Sequence, residues 1–180
     1  PFRSSTADLT EYTFSSADLG TAASNRSIVV GVGGGRSSSG SRVVNTLTIN
    51  GVTATFAGRQ QTLNTNAVEI WSAPVPSGTS GDIVVTFNAA MVRAGIGVWS
   101  VTDLGPPLDS DGDGGDDGAE PILQVTLTGS KDSIAFYHLY DEGAVDGMAF
   151  TGAGVTERYE TISSSFEGDG GQAGADATFA

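Results

Sequence analysis

The alternation of apolar and polar positions is densest between Asp82 and Asp103, DIVVTFNAAMVRAGIGVWSVTD. Ile83, Val85 and Phe87 alternate with Val84, Thr86 and Asn88. Past a short Ala89-Ala90-Met91 connection, Ala94, Ile96, Val98 and Ser100 alternate with Gly95, Gly97, Trp99 and Val101. A two-residue period is that of β-strands, whose successive side chains point to opposite faces. Both segments are apolar on each face, which predicts central strands in a two-layer structure rather than a half-wet edge. Gly95 and Gly97 share a face with Trp99, and the missing side chains there predict close approach by another element.

The same pattern recurs more weakly along the chain. Residues 1–27 are polar, with one short strand expected at Tyr12-Thr13-Phe14. Residues 27–33 (SIVVGVG) read as a strand apolar on both faces, and a Gly33–Ser41 loop rich in Gly and Ser follows. Residues 46–49 and 52–56 flank Asn50-Gly51, a pair that accepts the two positive φ values of a type I′ turn. The predicted hairpin sets Ile49 opposite Val52 and Leu47 opposite Ala54, with apolar residues on one face and threonines on the other.

Residues 67–73 (AVEIWSA) form a further strand, stopped by Pro74 and Pro76. After an insertion, strands are expected at 122–127 and 133–140, and shorter ones at 148–151, 155–159, 162–166 and 175–180. No stretch carries a capped 3.6-residue apolar period. The expected fold is an all-β antiparallel sandwich or jelly roll with little or no helix. It forms a single domain over residues 1–180 with an acidic loop insertion at about 104–121. The expected core is Ile28, Val30, Leu47, Ile49, Phe56, Ile70, Ile83, Val85, Phe87, Ile96, Val98 and Phe136.

Composition narrows the function classes. Cys is absent, which removes thiol catalysis, disulfides and thiolate zinc sites together. With 21 Asp+Glu against 8 Lys+Arg the formal net charge is -13, so neither nucleic acid nor an anionic membrane is an expected partner. No apolar run approaches the roughly 20 residues that span a bilayer, and no signal-peptide pattern opens the chain. A start at Pro1 is what trimming of an initiator Met would leave, and equally a mature end or an arbitrary boundary.

The insertion holds the one motif with informative spacing, DSDGDGGDDGAE over residues 109–120. Asp109, Asp111 and Asp113 at positions 1, 3 and 5, Gly114 at 6 and Glu120 at 12 match a twelve-residue calcium loop, with Asp117 ligating directly or through water. Pro106-Pro107 and Pro121 leave little room for flanking helices, and Asp116 stands where an apolar residue is usual. The segment is therefore either a calcium site or a solvated acidic loop that repels itself.

Catalytic signals are sparse. His138, the single histidine, shares a strand face with Ile134 and Phe136, which points to a packed, hydrogen-bonded side chain. No GxSxG elbow is present, and Arg36 replaces the third glycine that a dinucleotide fingerprint needs. Glu157 and Glu160 as a hydrolase pair, being three apart, would fall on opposite faces of a strand. Asn25-Arg26-Ser27 is a glycosylation sequon of the kind that arises often by chance.

Several segments resemble the Gly/Ser/Thr-rich β-sandwich proteins of tailed bacteriophage particles, above all head decoration (cement) proteins and related tail-surface proteins. They are YTFSS from Tyr12, GTAASNR from Gly20, TINGVTA from Thr48, GIGVWS from Gly95 and FTGAGVTERY from Phe150. The resemblance implies a non-enzymatic virion component that binds the major capsid protein on the outer capsid surface and reinforces it. It carries no catalytic residues, and the acidic loop has no counterpart in its pattern. Made in the host cytoplasm, such a protein would gather about a capsid symmetry axis, most simply as trimers. Its contacts are expected from the termini, the Gly33–Ser41 loop and the strand at 175–180. The competing class is a carbohydrate-binding or adhesin-like module, including a tail-associated receptor-binding one. It requires aromatic side chains on an exposed face, and Trp71, Tyr137 and Tyr140 are the candidates.

Overall fold

A computed structural model describes residues 2–35, 41–62, 66–107, 109–111, 133–141, 150, 155–162 and 171–178. Among them there is no helix, and the strands are β1 (Phe2–Ser5), β2 (Leu9–Asp18), β3 (Arg26–Gly35), β4 (Val44–Ile49), β5 (Val52–Thr53), β6 (Thr55–Thr62), β7 (Asn66–Pro74), β8 (Ser80–Met91), β9 (Arg93–Thr102), β10 (Ile134–Asp141), β11 (Val155–Ile162) and β12 (Gly171–Thr178). They form three antiparallel sheets: a central one ordered β1-β9-β3-β7-β6, a second ordered β2-β8-β4-β5 and a third ordered β10-β12-β11. Residues up to Thr102 supply the first two sheets completely.

The expected all-β sandwich is the architecture observed, with one layer more than the pattern implied. Ile28, Val30 and Val32 of β3 and Ala94, Ile96 and Val98 of β9 point one way. They meet Tyr12 and Phe14 of β2, Leu47 and Ile49 of β4, and Ile83, Val85 and Phe87 of β8 in a continuous core. The alternate positions Val29, Gly31, Gly33, Gly95, Gly97 and Trp99 face the other way, and the third sheet lies over them. That is why both strands are apolar on both faces.

The Asn50-Gly51 turn forms as its chemistry requires, with φ of 50° and 79°. Ile49 pairs with Val52, and the Ala54 amide donates to the Leu47 carbonyl at 2.8 Å. The hairpin then ends early. At Ala54 the chain crosses to the central sheet and continues as β6, so Phe56 sits at the sandwich rim, 43% exposed, and is not a core residue. Ile70 and Phe136 are only half-buried, because they belong to the seam between the central and third sheets rather than to the main core. The other nine expected core residues are buried.

The N-terminal region is more ordered than its polarity suggests. β2 runs ten residues beside β8, with register shifts on either side of its apolar pair and Ser16 at φ 53°. Those irregularities break the period that sequence reading depends on. Tyr12 is buried to 1%, and its hydroxyl lies 2.6 Å from the Ala7 carbonyl and 2.5 Å from that of Met91. Burial pushes this phenol up to about 12.

One end of the sandwich closes on Arg26, which is 1% exposed. Its Nε donates to Val75 O at 2.7 Å, one terminal nitrogen to Leu19 O and Gly20 O, each at 3.0 Å, and the other to Ser77 O at 2.9 Å and Gly78 O at 2.8 Å. Five main-chain carbonyls thus occupy the guanidinium fork, tying the end of β2 and the β7–β8 turn to the first residue of β3.

The C-terminal strand departs from expectation in placement. β12 begins at Gly171 and lies between β10 and β11, so both its edges are paired. It is not an edge open to a neighbour. Gly33 to Gly35 likewise belong to β3, paired to β9, rather than to a loop. The expected strands at 122–127, 148–151 and 162–166 lie outside the described residues, apart from Phe150 and Ile162.

Candidate functional site

The seam between the central and third sheets gathers His138, Gln172, Arg158 and Asp176. Its floor is glycine. A Cβ placed on Gly31 would lie 2.6 Å from His138 Cγ, and one on Gly95 would lie 2.5 Å from Gln172 Nε2. Above Gly33, Gln172 Oε1 and His138 Nε2 converge, each 3.0 Å from where a Cβ would stand. Only glycine permits this approach, and the expectation raised by Gly95 is met by the Gln172 side chain.

Gln172 is fully buried and donates through Nε2 to Gly33 O at 3.4 Å. His138 keeps a little exposure as a residue, yet its Nε2 is sealed from solvent. Burial pushes the imidazole down to about 3, and a hydrogen bond with Gln172 opposes that shift only in part. The ring is therefore neutral at physiological pH, a packed histidine as the sequence suggested.

At one end the seam opens into a cleft of about 420 Å³ lined by Trp99, Ser100, Val101, Phe136, Arg158 and Asp176, among others. Trp99 and Phe136 meet edge to face at 5.8 Å. Arg158 grips Asp176 bidentately, Nε to Oδ2 at 2.5 Å and NH2 to Oδ1 at 2.8 Å. That bond raises the guanidinium above its ordinary range. Arg158 is the extra residue of a β-bulge against β12. The bulge also sets Glu157 and Glu160 opposite Ala175 and Ala173, so their register positions share a face rather than taking opposite ones.

A second buried charge lies at the rim between the central and second sheets. Glu69, 1% exposed, accepts from the Val44 amide at 2.9 Å and Arg59 Nε at 2.8 Å through Oε1, and from Trp71 Nε1 at 2.8 Å through Oε2. Arg59 stacks over Phe56, 5.1 Å from the ring centroid. Trp71 is thereby committed to the core and lines no exposed face. Tyr137 stands 6.2 Å from Phe150, and the Tyr140 side chain lies outside the described residues.

Of the expected calcium ligands, Asp109 and Asp111 are exposed, while Asp113, Asp117 and Glu120 lie outside the described residues. Asp109 Oδ1 accepts from the Ser110 amide at 2.9 Å, and Ser110 Cβ sits 2.8 Å from where a Cβ on Gly58 would be. The insertion thus begins as a strap seated on β6. Among the described residues no three His, Asp or Glu side chains group as a metal site.

Sequence reasoning missed Arg26 and Glu69. Glu69 did leave a signal, because it stands in phase with Trp71 and Ala73 on the inward face of its strand. Arg26 left none, since its partners are main-chain carbonyls. Set against known proteins, the chain matches no family model, no curated protein and no solved structure.

Proposed function

We propose that this protein is a non-enzymatic structural component of a phage particle, docking on the major capsid protein at the outer surface of the shell. The observation that carries this reading is the β5/β6 flank, where the edges of two sheets lie together and Val52 and Phe56 are 37% and 43% exposed. Unpaired strand edges beside apolar side chains are a surface for strand addition to another protein. The buried charges described above hold the scaffold itself, which suits a rigid part whose work is done at its surface. With a net charge of -13, free copies repel one another, so trimers form on the shell rather than in solution.

The test mixes purified protein with undecorated heads at physiological salt and looks for saturable, symmetric density by electron microscopy. Phe56→Glu, at an exposed position, should fold and lose occupancy. Indifference to heads and tails alike, with tight binding to a glycan or cell surface, overturns the proposal. The cleft at the seam pairs fixed polar groups with Trp99 and Phe136, but Trp99 is buried there and offers no open aromatic face for a sugar to stack on. A glycan array separates the two.

A further inference from the structure

We propose that the third sheet is fastened to the central one by an acid-labile latch, His138 and Gln172 seated on the glycine floor of β3 and β9, which releases when His138 takes up a proton while the two-sheet core stays folded.

Three features carry this. First, among the described residues no strand of the third sheet is hydrogen-bonded into the central sheet, and no side chain of it belongs to the main core cluster. The layer is held through side chains alone and can lift without breaking a ladder. Second, the seat fits one ring closely, with His138 Cβ and Nδ1 each 2.8 Å from where a Cβ on Gly31 would stand. The imidazole is pressed onto the backbone there, and its Nε2 is sealed from solvent.

Third, the surroundings suit a neutral ring. β3 brings Ser27, Val29, Gly31, Gly33 and Gly35 to this face, none of them ionisable. β9 brings Arg93, buried to 7% and two positions from Gly95 on the same side, with a partner of its own. β12 and β11 bring Asp176 and Arg158, already joined to each other. Within β10, Tyr140 stands opposite Gln172 in the ladder, and on β7 Glu69 lies on the opposite face with Trp71. Burial holds the imidazole down to about 3 in the docked state, against about 6.5 once water reaches it. The docked form thus excludes the proton that the open form accepts.

The composition makes the test unusually clean. One histidine and two tryptophans give one imidazole signal and two indole N–H signals in NMR spectra. Trp99 reports the seam and Trp71 the main core, and Trp99→Phe assigns them. On lowering the pH from about 7 to about 4, the Trp99 signal should move to the position of a hydrated indole as the imidazole gains its proton, with a midpoint below 6.5. The Trp71 signal should stay in place. His138→Gln should shift the Trp99 midpoint down by at least about one pH unit. Simultaneous change of both indoles, a Trp99 signal that never moves, or an unaltered midpoint in His138→Gln each overturns the proposal. Should that variant fail to fold, the two indoles of the unmodified protein decide alone.

Discussion

Replacing Arg26 with Met removes the five hydrogen bonds that close one end of the sandwich and leaves a side chain of similar length. Two acceptors, Val75 O and Leu19 O, are buried at their bonds with the guanidinium. A buried acceptor left without a partner costs about 1–3 kcal/mol, so the pair accounts for roughly 2–6 kcal/mol. The carbonyls of Gly20, Ser77 and Gly78 are only partly buried, and water can take over their bonds. Against this, methionine needs no desolvation of a charge, which returns part of the loss. The net expectation is a destabilisation of about 2–4 kcal/mol. Arg26→Lys, with three donors for five acceptors, should fall between the two. Urea unfolding followed by circular dichroism, extrapolated linearly to water, measures both. A loss below about 1 kcal/mol for Arg26→Met, or equal losses for Met and Lys, would show that the carbonyl cage is not what holds this end closed.

Other expectations are as direct. Phe87→Ala and Ile96→Ala, both in the main core, should each cost about 2–5 kcal/mol in the same assay, and losses below about 0.5 kcal/mol at both would contradict the assigned faces. Gly95→Ala should cost about 1–3 kcal/mol against Gln172 and much less in a Gln172→Ala background, so an unchanged cost there refutes the seat. Because the folded pKa of His138 is depressed, its contribution is present above about 6.5 and lost as pH falls toward 3. By pH 5 the loss should reach about 2 kcal/mol, and His138→Gln should flatten that slope. The 109–120 segment should take up calcium at millimolar concentration by calorimetry through Asp109, Asp111, Asp113, Asp117 and Glu120, and absence of heat leaves a solvated loop.

What the sequence made legible was local. Asn50-Gly51 declared its turn because positive φ is a property of the two residues themselves. The double-sided strands around Val30 and Ile96 declared burial on both faces, though not that a separate sheet provides one of them. Phe56 misled because nothing in its alternation marks the crossover at Ala54. β12, GQAGADAT, has no large apolar residue, and its place between β10 and β11 follows from small side chains that let the layers close. Periodicity records which way a side chain points, not what it meets there. The Glu69 cluster, the Arg26 cage and the seam around His138 all depend on residues distant in sequence.

The division of the sheets along the chain also sets an order of assembly on the ribosome. Every strand of the central and second sheets has been made once Thr102 is added, whereas the third sheet waits for β12 to pair β10 with β11. At elongation rates of about 5–20 residues per second the stretch from Thr102 to Thr178 takes on the order of 4–15 s, far longer than a small β domain needs to collapse. During that interval the nascent sandwich presents Trp99 and the bare glycine backbone of β3 and β9 to its surroundings. A chaperone or a neighbouring nascent chain can reach that face during synthesis, until arrival of the last strand covers it.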